Sequence, residues 1–494
     1  MSERRNPNPS GAARQEAPPA PGAAAPRRVG NPWMVVVSLS IAAATASIQQ
    51  TAVLPLLPRL QESLHASVTS VTWAFTVSLL CGAVATPLFS RFGDMYGRRR
   101  MLLLTLALLV AGSVLGAVST SVATLIVARV LQGVSAAMVP LAIGTVRELL
   151  PPEKMASGIG VLSATMGVGV GAGFLLSGVI AEFTDGYRVV FWIIAGLSLA
   201  ATALTALVVR NAAPPAGGRP DLPGAFLLAG TLVCLLLAIS QGKAWGWDSG
   251  AVICLFIGAA VLGAAWIAVE RRTADPLVDI GMLTHRGTIG ASLASMLLGF
   301  ALFSGFTLLP NFAQTPANAG YGFGASVLGA GIYLLPTTIL MLLVSTLAGG
   351  LIRRFSAANM VAIGAILAAL SNVYLVLRHD HSYDLYVATT LLGLGVGCSF
   401  AALGTMAVEH VDASKTAVAS AVNSLVRLVG GSIAGAVTSA ILASDTIEGT
   451  KVPTLHAYEV SFMIAAVCVV LAAAFAALFG QLNQRAAASA ALPR

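Results

Sequence analysis

The sequence predicts an all-α polytopic membrane protein of fourteen transmembrane helices, arranged as two six-helix halves with two extra central helices between them. Three observations predict it. The 494-residue chain is 57% hydrophobic and only 10% charged, where soluble domains are roughly half apolar and a quarter charged; its mean hydropathy is +0.85. Its apolar residues fall into runs of about 20, enough for a helix to cross a bilayer core. Its basic residues lie between those runs, and mostly between alternate pairs of them.

The elements follow in order. Residues 1–28 are rich in Pro, Ala, Gly and Arg and lack apolar periodicity, which predicts a disordered cytoplasmic tail. The next run is longer than a signal-peptide core of about 7–15 residues, so it is expected to stay as the first span. The predicted spans are 33–57, 69–90, 101–121, 123–146, 156–181, 189–209, 222–241, 250–269, 288–312, 325–349, 358–378, 384–406, 416–442 and 458–480. They divide the chain into an N-terminal six-helix half (29–212), two extra central helices (213–275), a C-terminal six-helix half (276–482) and a second cytoplasmic tail (483–494).

Charge placement orients this topology. With the N-terminus inside, Arg59, Arg188, Lys243, Arg378 and Lys451 fall in outer loops, Arg129 and Arg427 fall within spans, and every other Lys and Arg lies on the inner side. That asymmetry is the positive-inside rule, and it predicts a multi-pass protein of the cytoplasmic (inner) membrane with both termini cytoplasmic. No Asp or Glu lies in the middle of a span. The net charge of +8 is spread over many short loops, with no continuous basic patch of the kind that binds nucleic acid.

Metal and cofactor chemistry find little support. The five cysteines sit singly inside apolar runs, without a CxxC pair. The segment HDHSYD, His379 to Asp384, has no further His or Cys nearby and reads as a solvated outer loop. No cofactor and no metal are expected. A membrane-embedded transferase would need a cluster of acids, His or Ser at a helix end facing a groove, and none is visible, so the chain is not expected to be an enzyme.

The chain also repeats itself. The second and third spans are joined by SRFGDMYGRRR, the tenth and eleventh by GGLIRRFSAANM, and both loops are short, inner and basic. The fifth and thirteenth spans both pass from a Lys-containing turn into a helix of small residues. Parallel six-helix halves of this kind are a transporter architecture.

The residues carry a family resemblance at this point. SRFGDMYGRRR resembles the major facilitator loop signature between the second and third helices, through Asp94, Gly97, Arg98 and Arg99, with Ser90 and Phe92 replacing the usual Gly and Leu. RVLQGVSAA, Arg129 to Ala137, resembles the fourth-helix signature. Gly160, Gly169, Gly173 and Gly178 match the fifth-helix antiporter signature, with Phe174 where that pattern has Pro. DLPGAFLLAG to GWDSG, Asp221 to Gly250, looks like the extra helices of the fourteen-helix drug–proton antiporter branch. The resemblance implies that Asp94, Gly97, Arg98 and Arg99 latch the two halves in one of two alternating states. Independently, Asp94 sits at a helix start, where an acid is stabilised, four residues before a basic partner, Arg98. The recurring glycines suit a helix that another must approach closely.

Two spans carry charge at depth, which by default marks function. Arg129 lies about seven residues from the outer end of its span, roughly 10 Å down, and Gln49–Gln50 of the first span share that depth. Gln49 stands where the resembled branch has an Asp tied to proton coupling; it cannot titrate, and its amide oxygen can only accept a hydrogen bond from Arg129. A second cavity group is Arg427 with Asn423, one turn away. Trp73 is either an interface anchor or a substrate contact, and the stripe Phe300, Phe303, Phe306 reads as packing before cavity wall. If protons are coupled, the helix-end acids Glu148 and Glu182 are the candidate sites.

The expected function is a secondary active exporter of small amphiphilic, antibiotic-like molecules, working by alternating access and coupled to protons. Its expected partners are that substrate, the lipid bilayer and protons, without nucleic acid. The missing first-helix acid keeps open an uncoupled uniporter or a transport-dead membrane sensor. With two arginines and no carboxylate at depth, neutral, zwitterionic or anionic substrates are expected over lipophilic cations.

Overall fold

The computed structural model describes residues 31–53, 56–184, 186–210, 221–273, 276–278, 280–281, 286–409, 411, 416–450 and 452–490. Among the described residues, fourteen helical segments are long and apolar enough to cross a membrane: α1 (Pro32–Thr51), α2 (Trp73–Tyr96), α3 (Arg98–Ala117), α4 (Val122–Leu149), α5 (Glu153–Phe183), α6 (Arg188–Val208), α7 (Leu222–Trp245), α8 (Gly250–Glu270), α9 (Thr288–Gln314), α10 (Val327–Phe355), α11 (Ala357–Leu377), α12 (Ser382–Val408), α13 (Thr416–Ser444) and α14 (Leu455–Phe479). Each overlaps a span expected from hydropathy. The predicted N-terminal tail lies outside the described residues. The last helix runs on to Ala490, so the expected C-terminal tail begins as helix.

Helix starts are chosen by short polar residues that accept a hydrogen bond from the otherwise orphaned first-turn N–H groups. Asn31 caps α1 through Trp33 N, with Pro32 at the first position, where a missing N–H costs nothing. Ser121 and Thr124 form a reciprocal capping box at α4. Asp221 and Ser249 cap α7 and α8. Helix α4 is not uniform: a 3₁₀ turn, Val134–Ala137, interrupts it immediately after Gly133. Gly133 lies against Ser78 and Cys81 of α2, so the interruption coincides with a close approach of those two helices.

An apolar cluster of the first half includes Leu39, Leu106, Leu141 and Leu162 and extends to Ala407, Val408 and Ala419 of the second half, whose own cluster includes Leu309, Phe312, Val361 and Leu403. The halves meet along two seams. On one side α5 packs against α10 and α12. On the other, α13 packs against α2 and α4, and α7 inserts beside it, touching both α2 and α13. Leu228, Leu232 and Leu236 of α7 thus share a cluster with Leu80 of α2 and Leu425 of α13. Helix α8 packs chiefly on α7 and leaves Ile253, Phe256, Ile257, Val261 and Ile267 exposed. The basic end of this pair is tied down where Glu270 accepts from Trp266 Nε1 (2.9 Å) and Val278 N (3.3 Å).

The two basic loops share a backbone device. Gly97, between α2 and α3, has φ +103° and ψ 126°. Ser356, between α10 and α11, has φ +68° and ψ 156°. Both tight corners need positive φ, which glycine adopts freely and serine does not.

Candidate functional site between the helix halves

Burial sorts the two membrane-depth arginines into different jobs. Arg129 is fully buried inside the N-terminal half, at 0% exposure. Its Nη1 donates to Gln49 Oε1 (2.8 Å), Gln132 Oε1 (2.8 Å) and the Gln49 carbonyl (3.2 Å), and its Nε to the Ala74 carbonyl (3.4 Å). Gln132 in turn donates to Ser113 Oγ (2.9 Å), and Gln49 Nε2 to Ser135 Oγ (3.2 Å). The network stitches α1, α2, α3 and α4 together, and the bond anticipated from Arg129 to Gln49 is part of it. All its acceptors are neutral, so the guanidinium is held by dipoles alone. Gln50, the next residue, is half-buried and makes no side-chain hydrogen bond among the described residues.

Arg427 sits at the junction of the halves. Its guanidinium lies over the Phe400 ring of α12, 4.8 Å from the centroid. Its Nη2 meets Met166 Sδ of α5 at 3.2 Å and Ser424 Oγ at 3.4 Å. Asn423 is turned elsewhere and accepts a hydrogen bond from Ser295 of α9. Arg129 and Arg427 thus have separate sets of partners.

At the basic end the helix ends form a compact charge cluster, with Asp94 in the last turn of α2 and not at the helix start expected from sequence, and Arg98 opening α3. Arg98 donates to Asp94 Oδ1 through Nη2 (2.8 Å) and Nε (3.0 Å), and through Nη1 to the Gly144 carbonyl (2.9 Å) and to Glu148 Oε2 (3.0 Å). Glu148 therefore joins the Asp94–Arg98 pair, a link its sequence position did not reveal. Gly144 makes the approach feasible, since a Cβ there would lie 2.8 Å from Arg98 Nε and 3.1 Å from Ala417 Cβ of α13. Arg99 turns away from the cluster: it donates to the Val209 and Ala206 carbonyls (2.6 and 2.8 Å), satisfying acceptors left open at the end of α6.

Arg147 was not singled out from sequence. It reaches across the halves, donating to the Val408 carbonyl (2.7 Å), the Val411 carbonyl (2.6 Å) and Thr416 Oγ1 (2.9 Å). Arg353 of α10 makes a second crossing, to the Glu153 carbonyl (3.2 Å). The only sequence signal for Arg147 is a basic residue in the last turn of a helix.

Glycines smooth the other seam, on two faces of α5. Gly160, Gly167, Gly171 and Gly178 lie against Ser345, Met341, Thr338 and Leu328 of α10, while Gly169 and Gly173 lie against Ala44, Ser47, Ile48 and Thr51 of α1. The four signature glycines are thus split between the faces, and Gly167 and Gly171, not singled out from sequence, complete the inter-half stripe. Glu182 is exposed at the far end of α5. Trp73 contacts Trp245 of α7 at 6.4 Å. Phe300 and Phe306 are buried in packing, and Phe303 lies against Gly431. Asp384 accepts from Tyr374 Oη (2.8 Å) and His381 N (2.9 Å), which makes it a local helix-start anchor.

Two packed groups of six membrane helices, meeting along glycine-lined seams with a charge cluster at one end, define a polytopic membrane transporter. The chain belongs to the Major Facilitator Superfamily, whose family model matches residues 39–435. It is similar to the tetracenomycin C resistance and export protein of Streptomyces glaucescens (29% identical, covering 84% of this chain and 77% of the relative). It is similar also to the lincomycin resistance protein of Streptomyces lincolnensis (30% identical, covering 89% and 91%). Its fold matches the crystal structure of the human organic anion transporter MFSD10 (TETRAN), with TM-score 0.63 and 15% identity over 90% of this chain and 100% of that one.

Proposed function

We propose that the chain exports small amphiphilic, antibiotic-like molecules from the cytoplasm by alternating access, as a secondary active transporter without an enzymatic step. One observation carries the reading. At the basic end the halves are joined by reversible polar contacts, Arg147 to Val408, Val411 and Thr416, and Arg353 to Glu153. Along the rest of the α5–α10 seam, Met341 and Thr338 seat in the notches left by Gly167 and Gly171, so the two helices meet closely through small residues, with no charged pair among the described residues. Such a junction has a bond set to break and a close, small-residue contact that can shift. Positive-inside charge puts the basic end and both termini in the cytoplasm, so this arrangement is the state closed towards the cytoplasm. The antibiotic class is suggested by the relatives' resistance and export roles.

Proton coupling in this reading bypasses the first helix, because Gln49 cannot titrate. Glu148 suits the role better than Glu182. Protonating Glu148 would weaken its bond to Arg98 beside Ala417 of the other half, whereas Glu182 is exposed and distant from that junction.

The test is uptake of antibiotics into inside-out vesicles carrying the protein, with and without an imposed pH gradient. Accumulation that collapses with the gradient supports a coupled exporter. Uptake indifferent to the gradient makes the protein a facilitator, and no protein-dependent flux for any compound favours a sensor.

A further inference from the structure

A guanidinium offers five N–H donors and cannot shed its charge in a protein. Buried well away from water, it is stable only when those donors and that charge are answered. Arg129 has four oxygen acceptors, three of them within 3.2 Å. Arg427 is almost as buried, at 7% exposure, and has far less: a thioether, a serine oxygen at the limit of hydrogen-bond distance, and an aromatic face. Among the described residues no carboxylate and no carbonyl accepts from it, and Nε and Nη1 have no acceptor. Its position is also different. Met166 belongs to α5 of one half, Phe400 and Ser424 to α12 and α13 of the other, so the group lies at the surface along which the halves separate.

We propose that Arg427 is the anchor for an anionic group, a carboxylate or an acidic enol or phenol, on the transported molecule. The proposal rests on the exporter reading above and deepens it. The donors remain available. The Phe400 ring, 4.8 Å from the guanidinium carbon, answers its charge but takes no N–H along an edge, where oxyanions bind. The edge carrying Nη2 meets Met166, an unbranched and adaptable side chain, and at 3.4 Å the hydroxyl of Ser424, which an incoming anion can share. An incoming oxyanion exchanges a sulfur contact for two charge-assisted hydrogen bonds, and an aromatic portion beside it gains the apolar surroundings of Phe400. Because Met166 lies in the opposite half from Phe400 and Ser424, the bound anion changes which contacts hold the halves together at this depth. That differential contact is what ligand-driven switching requires. Arg129 has no such opening and serves as a fixed internal strut.

The test uses purified full-length protein in lipid nanodiscs and three probes of one shape: naphthoate, naphthamide and naphthyltrimethylammonium. Binding is read by calorimetry in low-chloride buffer. The expected result is naphthoate tighter than naphthamide by about ten- to a hundredfold, the range for a hydrogen bond to a charged group, with the cation weakest. Arg427→Met should abolish the preference and Arg427→Lys retain part of it. Phe400→Leu, which keeps the charge, should weaken naphthoate and naphthamide alike. Equal affinity for naphthoate and naphthamide in the parent overturns the proposal, as does a preference that survives in Arg427→Met. Chloride that thermally stabilises the parent but not Arg427→Met, with no such shift from naphthoate, also overturns it: the group is then an inorganic-anion site. Failure of the exporter reading looks different. Arg427-dependent naphthoate binding would persist, but vesicles would accumulate none of it.

Discussion

Arg147 and Val408, from opposite halves of the molecule, are joined by a 2.7 Å hydrogen bond from guanidinium to main-chain carbonyl at the basic end. The same side chain holds Val411 and Thr416, so one residue clamps the end of α12 and the start of α13 to α4. Arg147→Ala should release that clamp at a cost of about 2–4 kcal/mol to the closed arrangement, less than three independent bonds because they share one donor group. A cysteine placed at Ser157, against Gly349 of α10, reports the change. Its alkylation by an impermeant maleimide should quicken several-fold in Arg147→Ala inside-out vesicles. Unchanged alkylation would show that the clamp does not hold the seam.

The charge cluster should matter for turnover more than for assembly. Asp94→Asn removes the charge that Arg98 pairs with, and Arg98→Ala strips partners from Asp94, Gly144 and Glu148 together. Both variants are expected to reach the membrane at parental levels and to transport at least about tenfold more slowly, corresponding to roughly 1.4 kcal/mol on the switching barrier. Parental rates at equal expression would refute the latch reading.

Gln49 should be structural. Gln49→Leu deletes an acceptor from Arg129 and a donor to Ser135 in a fully buried network. Leaving a buried guanidinium short of a partner costs about 1–3 kcal/mol, visible as a lower thermal midpoint in detergent. Substrate-induced proton release from proteoliposomes should persist in this variant and be lost in Glu148→Gln. Were Gln49→Leu alone to abolish proton release while sparing downhill flux, coupling would run through the first helix after all.

The paired basic corners make opposite predictions. At Gly97 an added Cβ meets nothing within 4 Å, so Gly97→Ala is penalised by backbone conformation alone. Ser356 already occupies the same kind of corner with a side chain. Strain there is of the order of 1–3 kcal/mol, against a few tenths lost with its 3.4 Å cap to Asn359 N. Ser356→Gly should therefore raise the thermal midpoint and Gly97→Ala lower it. The opposite signs would mean that neighbouring contacts, not backbone geometry, set the corners.

What could be read from the sequence was whatever depends on one helix and the bilayer. Hydropathy located every span, and equal depth brought Arg129 and Gln49 together, because a membrane gives residues of different helices a common axis. Facing directions lie beyond that axis. Nothing in α5 says that Gly169 serves α1 while Gly171 serves α10. Nothing beside Arg99 distinguishes its task, closing α6, from that of Arg98. Arg147 escaped notice because its acceptors are main-chain carbonyls, which every residue has. Arg427 and Asn423, one turn apart, looked like partners, yet Asn423 is taken up by Ser295 and Arg427 by Phe400 and Met166.

Helix α8 answers to few protein neighbours. With α7 as its main support and the rest of its surface open, acyl chains are the greater part of what it must fit. Lipid tails recognise length and oiliness but not the order of letters, so Ile253, Phe256, Ile257 and Val261 should be freely interchangeable among themselves. The protein here carries an outer wall whose specification is written mostly in the solvent. It is where sequence can drift fastest, and where a probe or a fusion partner could be hung without disturbing the moving parts.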